Sequence, residues 1–145
     1  MLLGRIMLVI TTLVWTCYGA WLFFDPKGLS YIGMEFNHWS VTVEVVAMYG
    51  GFEFMIGVFT ALGLIKPRQF MRPAMLLWAL LYSGLVIGRI YGMIVWGGSF
   101  TAMSCIGEEC LPDSYNPGAM YVLEIPSALL FMLALWQTRN DPNLN

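Results

Sequence analysis

Four apolar runs, each long enough to cross a bilayer, alternate along the chain with short polar breaks rich in Gly and Pro. A spanning helix needs about 20 mostly apolar residues at about 1.5 Å each. The first run covers residues 3–24 and stops at Asp25-Pro26-Lys27-Gly28. The second, residues 41–65, stops at Lys66-Pro67-Arg68. The third, residues 73–96, places Pro73 in the first helical turn, where a missing N–H is tolerated, and ends on Gly97-Gly98. The fourth covers residues 119–137 and closes on Thr138-Arg139-Asn140-Asp141-Pro142. No run is broken by a charged stretch, and none reads as a β-barrel strand. The pattern predicts an all-α fold: an integral membrane antiparallel four-helix bundle formed as one transmembrane domain over residues 1–145.

Composition agrees. The chain is 59% hydrophobic and 11% charged, with a mean hydropathy of +0.70, whereas soluble domains carry about 25% charged residues. Too few polar side chains exist to coat a soluble core. A net charge of -2 and the lack of any Lys/Arg run exclude a nucleic-acid-binding face. No small-x-small cleavage pattern ends the first run, so it reads as a retained helix and not as a signal peptide.

Loop charge orients the spans. Arg5, Lys66, Arg68, Arg72 and Arg139 fall on one side, and only Lys27 on the other. The positive side faces the cytoplasm, which puts both termini there. Asp25, Glu35, Glu108, Glu109 and Asp113 lie opposite. Trp21, Trp39, Trp96 and Tyr115 fall near the outer boundaries, as interfacial aromatics do. The short basic turn, residues 66–72, predicts a hairpin of the second and third helices.

Against this background Arg89 stands out, because it lies inside the third run. A guanidinium keeps its proton at any ordinary pH, and a charge near the bilayer centre costs a few kcal/mol at least. Three carboxylates in other runs are candidate partners: Glu44, Glu53 and Glu124. Counting about 1.5 Å per residue, Arg89 lies roughly 7 Å outside its helix midpoint, Glu124 roughly 5 Å and Glu44 roughly 13 Å, with Glu53 at the centre. Glu44 and Glu53 are nine residues apart, which at about 100° per residue puts them on opposite faces. The expectation is that Glu44 and Glu124 together neutralise Arg89. Glu53, a buried acid apart from them, is expected to be uncharged or paired with Tyr49, Thr60 or another subunit. Tyr18, Tyr49, Tyr91 and Tyr121 fall in the same outer layer. Arg89, Glu44, Glu124, Tyr49, Tyr121 and Tyr18 thus form a candidate ligand-binding pocket. A pair that only fixes helix register and a proton or ion pathway are the competing readings.

Other features add less. Gly84, Gly88 and Gly92 repeat the G-x-x-x-G spacing, which serves either packing within the bundle or a homo-oligomer or partner contact. Pro126 frees a backbone carbonyl near Val122 and predicts a kink beside Glu124. Cys105 and Cys110, four residues of loop apart, can close a disulfide on an oxidising side; two free thiols or a redox pair are the alternatives. Cys17 reads as a small apolar filler. His38 is the sole histidine, so no metal site is expected, and no motif names a cofactor.

Gly19-Ala20-Trp21-Leu22-Phe23-Phe24-Asp25-Pro26, Glu44 with Tyr49-Gly50-Gly51, Gly88-Arg89 and Glu124 together resemble a family of small four-span bacterial membrane proteins of unknown function, DoxX-like in organisation. Such sequences often carry a basic residue two positions after the helix 2 glutamate, where this chain has Val46. The resemblance implies a four-helix membrane bundle in a bacterial inner membrane. DoxX-like relatives are associated with redox partners or act as assembly factors. Three functions stay open. One is a lipid- or quinone-like ligand-binding or accessory subunit in contact with membrane lipids. Another is a membrane enzyme, an isomerase or oxidoreductase, using a Glu as general acid/base. The third is a structural subunit of a larger complex.

Overall fold

The computed structural model describes residues 2–32, 34–96 and 119–141. The second outer connection, with Cys105, Cys110 and their expected disulfide, lies outside the described residues. The chain is an integral membrane protein with four helices long and apolar enough to span a bilayer: α1 (Leu2–Phe24), α2 (Trp39–Ile65), α3 (Pro67–Trp96) and α4 (Met120–Gln137). Among the described residues there is no strand, and the all-α reading stands. Large apolar side chains such as Leu13, Met55, Leu80 and Leu129 lie exposed along the spans. In lipid, unlike in water, such a surface carries no penalty.

Two helix starts differ from the sequence pattern. α2 begins at Trp39 because His38 caps it: its Nδ1 accepts the N–H of Ser40 at 3.2 Å. α3 begins at Pro67, and Pro73 sits inside the helix. Pro67 takes the first helical position, and the Lys66 carbonyl accepts the N–H groups of Gln69 and Phe70, each at 3.1 Å. That first turn is built before Pro73 is reached. Pro73 then deprives only the Gln69 carbonyl of its donor, and both residues are exposed.

The chain forms two compact units, Met1–Ala74 with Asn140–Asn145, and Met75–Arg139. In the first, α1 and α2 run antiparallel at close range. Gly57 lies against Thr16, Gly19 against Phe54 and Gly50, and Gly50 against Phe23. Added Cβ atoms at Gly57 and Gly50 would fall 2.8 Å from the Thr16 nitrogen and 2.8 Å from the Phe23 Cα, and one at Gly19 would run into the Phe54 nitrogen. Glycine is needed there to let backbones touch. Gly63 lies against Leu8 and Ala74, so the start of α3 also packs here. Beyond α1, a 3-10 helix (Pro26–Ile32) folds Leu29 into a cluster with Leu22 and Val45, and Trp21 covers Gly28.

The second unit packs through aromatics. Trp78 and Tyr82 of α3 stack on Phe131 of α4, with centroids 6.4 and 6.2 Å apart. Met75, Met93, Met120, Ala128 and Ala134 fill the rest. The expected use of Gly84, Gly88 and Gly92 in packing within the bundle is not seen among the described residues: a Cβ at any of them meets none of these within 4 Å. Side chains on other faces of α3 make its contacts.

Both α2 and α4 contain a π-helical stretch, Val46–Phe52 and Met120–Glu124. The uniform 100° rotation expected between Glu44 and Glu53 therefore does not apply, because a π turn takes an extra residue.

Gly57→Ala and Gly84→Ala should separate the two glycine roles. Gly57→Ala drives a methyl into Thr16 and should destabilise by about 1–3 kcal/mol. Gly84→Ala should be neutral or stabilise by up to about 1 kcal/mol. Denaturant titration of the purified protein in detergent measures both.

Candidate functional site

A carboxylate buried in a membrane span needs a positive partner at hydrogen-bonding distance. Glu124 has one in Arg89. The Arg89 Nε–H donates to both carboxylate oxygens, at 2.7 Å to Oε1 and 2.8 Å to Oε2. The Glu124 side chain is 4% exposed and that of Arg89 32%. The acid is enclosed while the base still reaches the molecular surface. This is the buried pair that the matched depths of Arg89 and Glu124 predict.

Local backbone geometry sets the acid in place. Pro126 has no N–H to give the Val122 carbonyl. The preceding turn widens, so that the Ile125 N–H bonds to the Met120 carbonyl in π register. The expected distortion at Pro126 thus takes the form of a π turn ending on Glu124. Below it, Ser127, Ala128 and Phe131 are buried in succession, and the stack on Trp78 and Tyr82 holds α4 against α3. As residue numbers rise on α3 they fall on α4, from Trp78 opposite Phe131 to Arg89 opposite Glu124. Tyr121, on the same π turn as Glu124, and Tyr91, on α3, are exposed.

The remaining expected site residues belong to the first unit. Glu44 and Tyr49 are exposed on α2. Tyr18 packs beside Leu22, Leu29 and Val45, with its ring edge-on to Trp15 and Trp21 at 6.1 and 5.8 Å. Glu53 has a buried Oε2 with no hydrogen-bond partner among the described residues, so neither Tyr49 nor Thr60 caps that oxygen. Thr60 instead donates to the Ile56 carbonyl at 2.8 Å. Cys17 is exposed on α1.

Sequence reasoning missed the two π stretches and the threonines Thr12 and Thr16, whose hydroxyls are buried without a partner among the described residues. Pro126 and the pair Gly50-Gly51 were the available signals for the π turns. Nothing in spacing alone distinguishes Thr12 and Thr16 from Thr11, whose hydroxyl bonds to the Met7 carbonyl.

A family model described as a domain of unknown function (DUF4345) matches residues 3–108. The match includes Arg89 and stops before Glu124. No curated protein and no solved structure matches the chain.

The pair makes a sharp prediction. Glu124→Leu alone strands a guanidinium in the span and should cost about 3 kcal/mol or more. Adding Arg89→Met removes the stranded charge and should restore most of that loss. Thermal or denaturant unfolding of the single and double variants measures the difference.

Proposed function

We propose a role for this chain from the premise that it belongs to the DUF4345 family of unknown function and is a small integral membrane protein: it is a binding or accessory subunit that holds a lipid- or quinone-like molecule at the Arg89–Glu124 pair. The observation that carries this reading is the unequal exposure of the two partners. Glu124 is enclosed, whereas about a third of the Arg89 side chain stays accessible at 32%. A ligand can approach the guanidinium without breaking the pair.

Charge narrows the ligand. Arg89 and Glu124 together are neutral, so an anionic head would bring an uncompensated charge into a low-dielectric layer. A neutral acceptor, such as a quinone carbonyl or an ester carbonyl, takes a hydrogen bond at no such cost. Its apolar remainder would lie along the exposed apolar side chains of α3 and α4, Ile90, Ile94 and Val122 among them. Tyr91 and Tyr121 bring phenol groups to the same two spans. A bacterial inner membrane and a DoxX-like organisation, with a role beside a redox partner, belong to this same reading. Against an enzymatic role for Glu124 stands its double hydrogen bond to Arg89, which occupies the carboxylate that acid/base work would need.

Thermal-shift measurements with short-chain quinones and neutral lipids test the proposal. A ligand at ten times its Kd adds about 1.4 kcal/mol to stability, which raises the Tm of the wild type. Arg89→Met/Glu124→Leu should lose that shift while remaining folded. Equal shifts in both proteins would remove the site.

A further inference from the structure

Among the described residues, three side-chain oxygens are buried without a hydrogen-bond partner: Thr12 Oγ1, Thr16 Oγ1 and Glu53 Oε2. All three lie in the first unit, on α1 and α2, and the close contacts of those helices fix their order. Gly57 sits so near Thr16 that a Cβ there would run into Oγ1. Glu53 precedes Gly57 by about one helical turn, and Thr12 precedes Thr16 by about one turn. Because the spans are antiparallel, the oxygens follow one another along the α1–α2 seam as Glu53, Thr16, Thr12.

A helix offers a threonine hydroxyl an acceptor of its own. Thr11 and Thr60 bond back to the carbonyls of Met7 and Ile56, the usual resort of a helical threonine. Thr12 and Thr16 do not. A buried oxygen left unpaired costs about 1–3 kcal/mol, and three in one seam call for a shared partner. The spacing identifies it. One helical turn rises about 5.4 Å, and two O–H···O bonds of about 2.7 Å span that gap through one water.

The surroundings of Glu53 also bear on its charge. α1 has one charged residue, Arg5, eleven positions before Thr16 or about 17 Å along the helix. On α2 itself Glu44 lies nine positions away and Lys66 thirteen, about 14 and 20 Å. In the 3-10 helix the only charge is Lys27, just beyond the end of α1. The α3 segment packed here carries Arg68 and Arg72, beside the Gly63 end of α2, ten positions or about 15 Å from Glu53. None of these charges of the first unit comes within about two helical turns of Glu53 along its own span, and a carboxyl taken out of water without a cation costs least when it keeps its proton.

We propose that Glu53, Thr16 and Thr12 form a hydrated proton-binding site, in which the Glu53 carboxyl carries an exchangeable proton and single waters link it to Thr16 and Thr16 to Thr12. The ligands are water and a proton. The site belongs to the first unit and the Arg89–Glu124 pair to the second, and the proposal stands whether or not that pair binds a ligand.

Infrared spectroscopy of the full chain in lipid nanodiscs tests it. The wild type should show the carbonyl band of a protonated carboxyl, and Glu53→Gln should abolish it. Transfer to D2O should lower its frequency, because water reaches the proton. Thr16→Val should raise it, because the bridging water loses a partner. A band that Glu53→Gln leaves intact, or one indifferent to D2O, overturns the site. A band unmoved by Thr16→Val overturns the bridge. Should Glu53→Gln fail to fold, the wild type alone decides: a lipid-soluble carbodiimide, which adds to protonated carboxyls in apolar settings, should label Glu53 by mass spectrometry, and no adduct there contradicts the proposal.

Discussion

A guanidinium inside a membrane span must find a carboxylate or the span will not stay where it is. Arg89 finds Glu124, through one Nε–H shared between both carboxylate oxygens at 2.7 and 2.8 Å. Sliding α4 along α3 by one turn would move the partners about 5.4 Å apart and strand both charges in lipid. The pair therefore fixes the register of these two helices, the best-attested use of a buried ion pair. The stacking of Trp78 and Tyr82 on Phe131 follows from the same register and reinforces it.

The two compact units solve the packing problem in lipid differently. In the first, Gly19, Gly50 and Gly57 bring two backbones together, and dispersion between the touching helices replaces the hydrophobic drive that lipid does not supply. In the second, large rings and methionines fill the space between α3 and α4. Each unit also carries one glutamate beside a π turn, Glu53 after Val46–Phe52 and Glu124 at the end of Met120–Glu124. Such turns gather at functional positions because they re-aim side chains at the expense of helical regularity. Here one acid is neutralised by an arginine, and the other keeps a buried oxygen with no hydrogen-bond partner among the described residues.

Much of the fold could be read from hydropathy, since lipid forces every backbone group to be satisfied within a helix. Four long apolar runs leave few alternatives. The ends were harder to read, because Pro67 and Pro73 both look like helix starts and only the double use of the Lys66 carbonyl decides between them. Glu124 was legible from depth as a partner of Arg89, because charge in lipid needs a partner at its own level, but depth also admitted Glu44 beside it. The faces of single helices were not. Gly84, Gly88 and Gly92 have the spacing of a contact yet meet none of the described residues, while Gly19, Gly50 and Gly57, less regular in sequence, carry close approaches. A spacing rule states what a face permits and not which neighbour takes it up. The unpaired oxygens of Thr12 and Thr16 could not be read from spacing, because Thr11 in the same run bonds back to the Met7 carbonyl.

The most direct test is a measurement of the pair itself. Solid-state NMR on protein labelled with 15N-arginine and 13C-glutamate, reconstituted in lipid, reads the dipolar coupling between Arg89 Nε and the Glu124 carboxyl carbon. The account predicts strong coupling, the mark of a direct contact, and its loss in Glu124→Leu. Absence of that coupling in the folded wild type would contradict it.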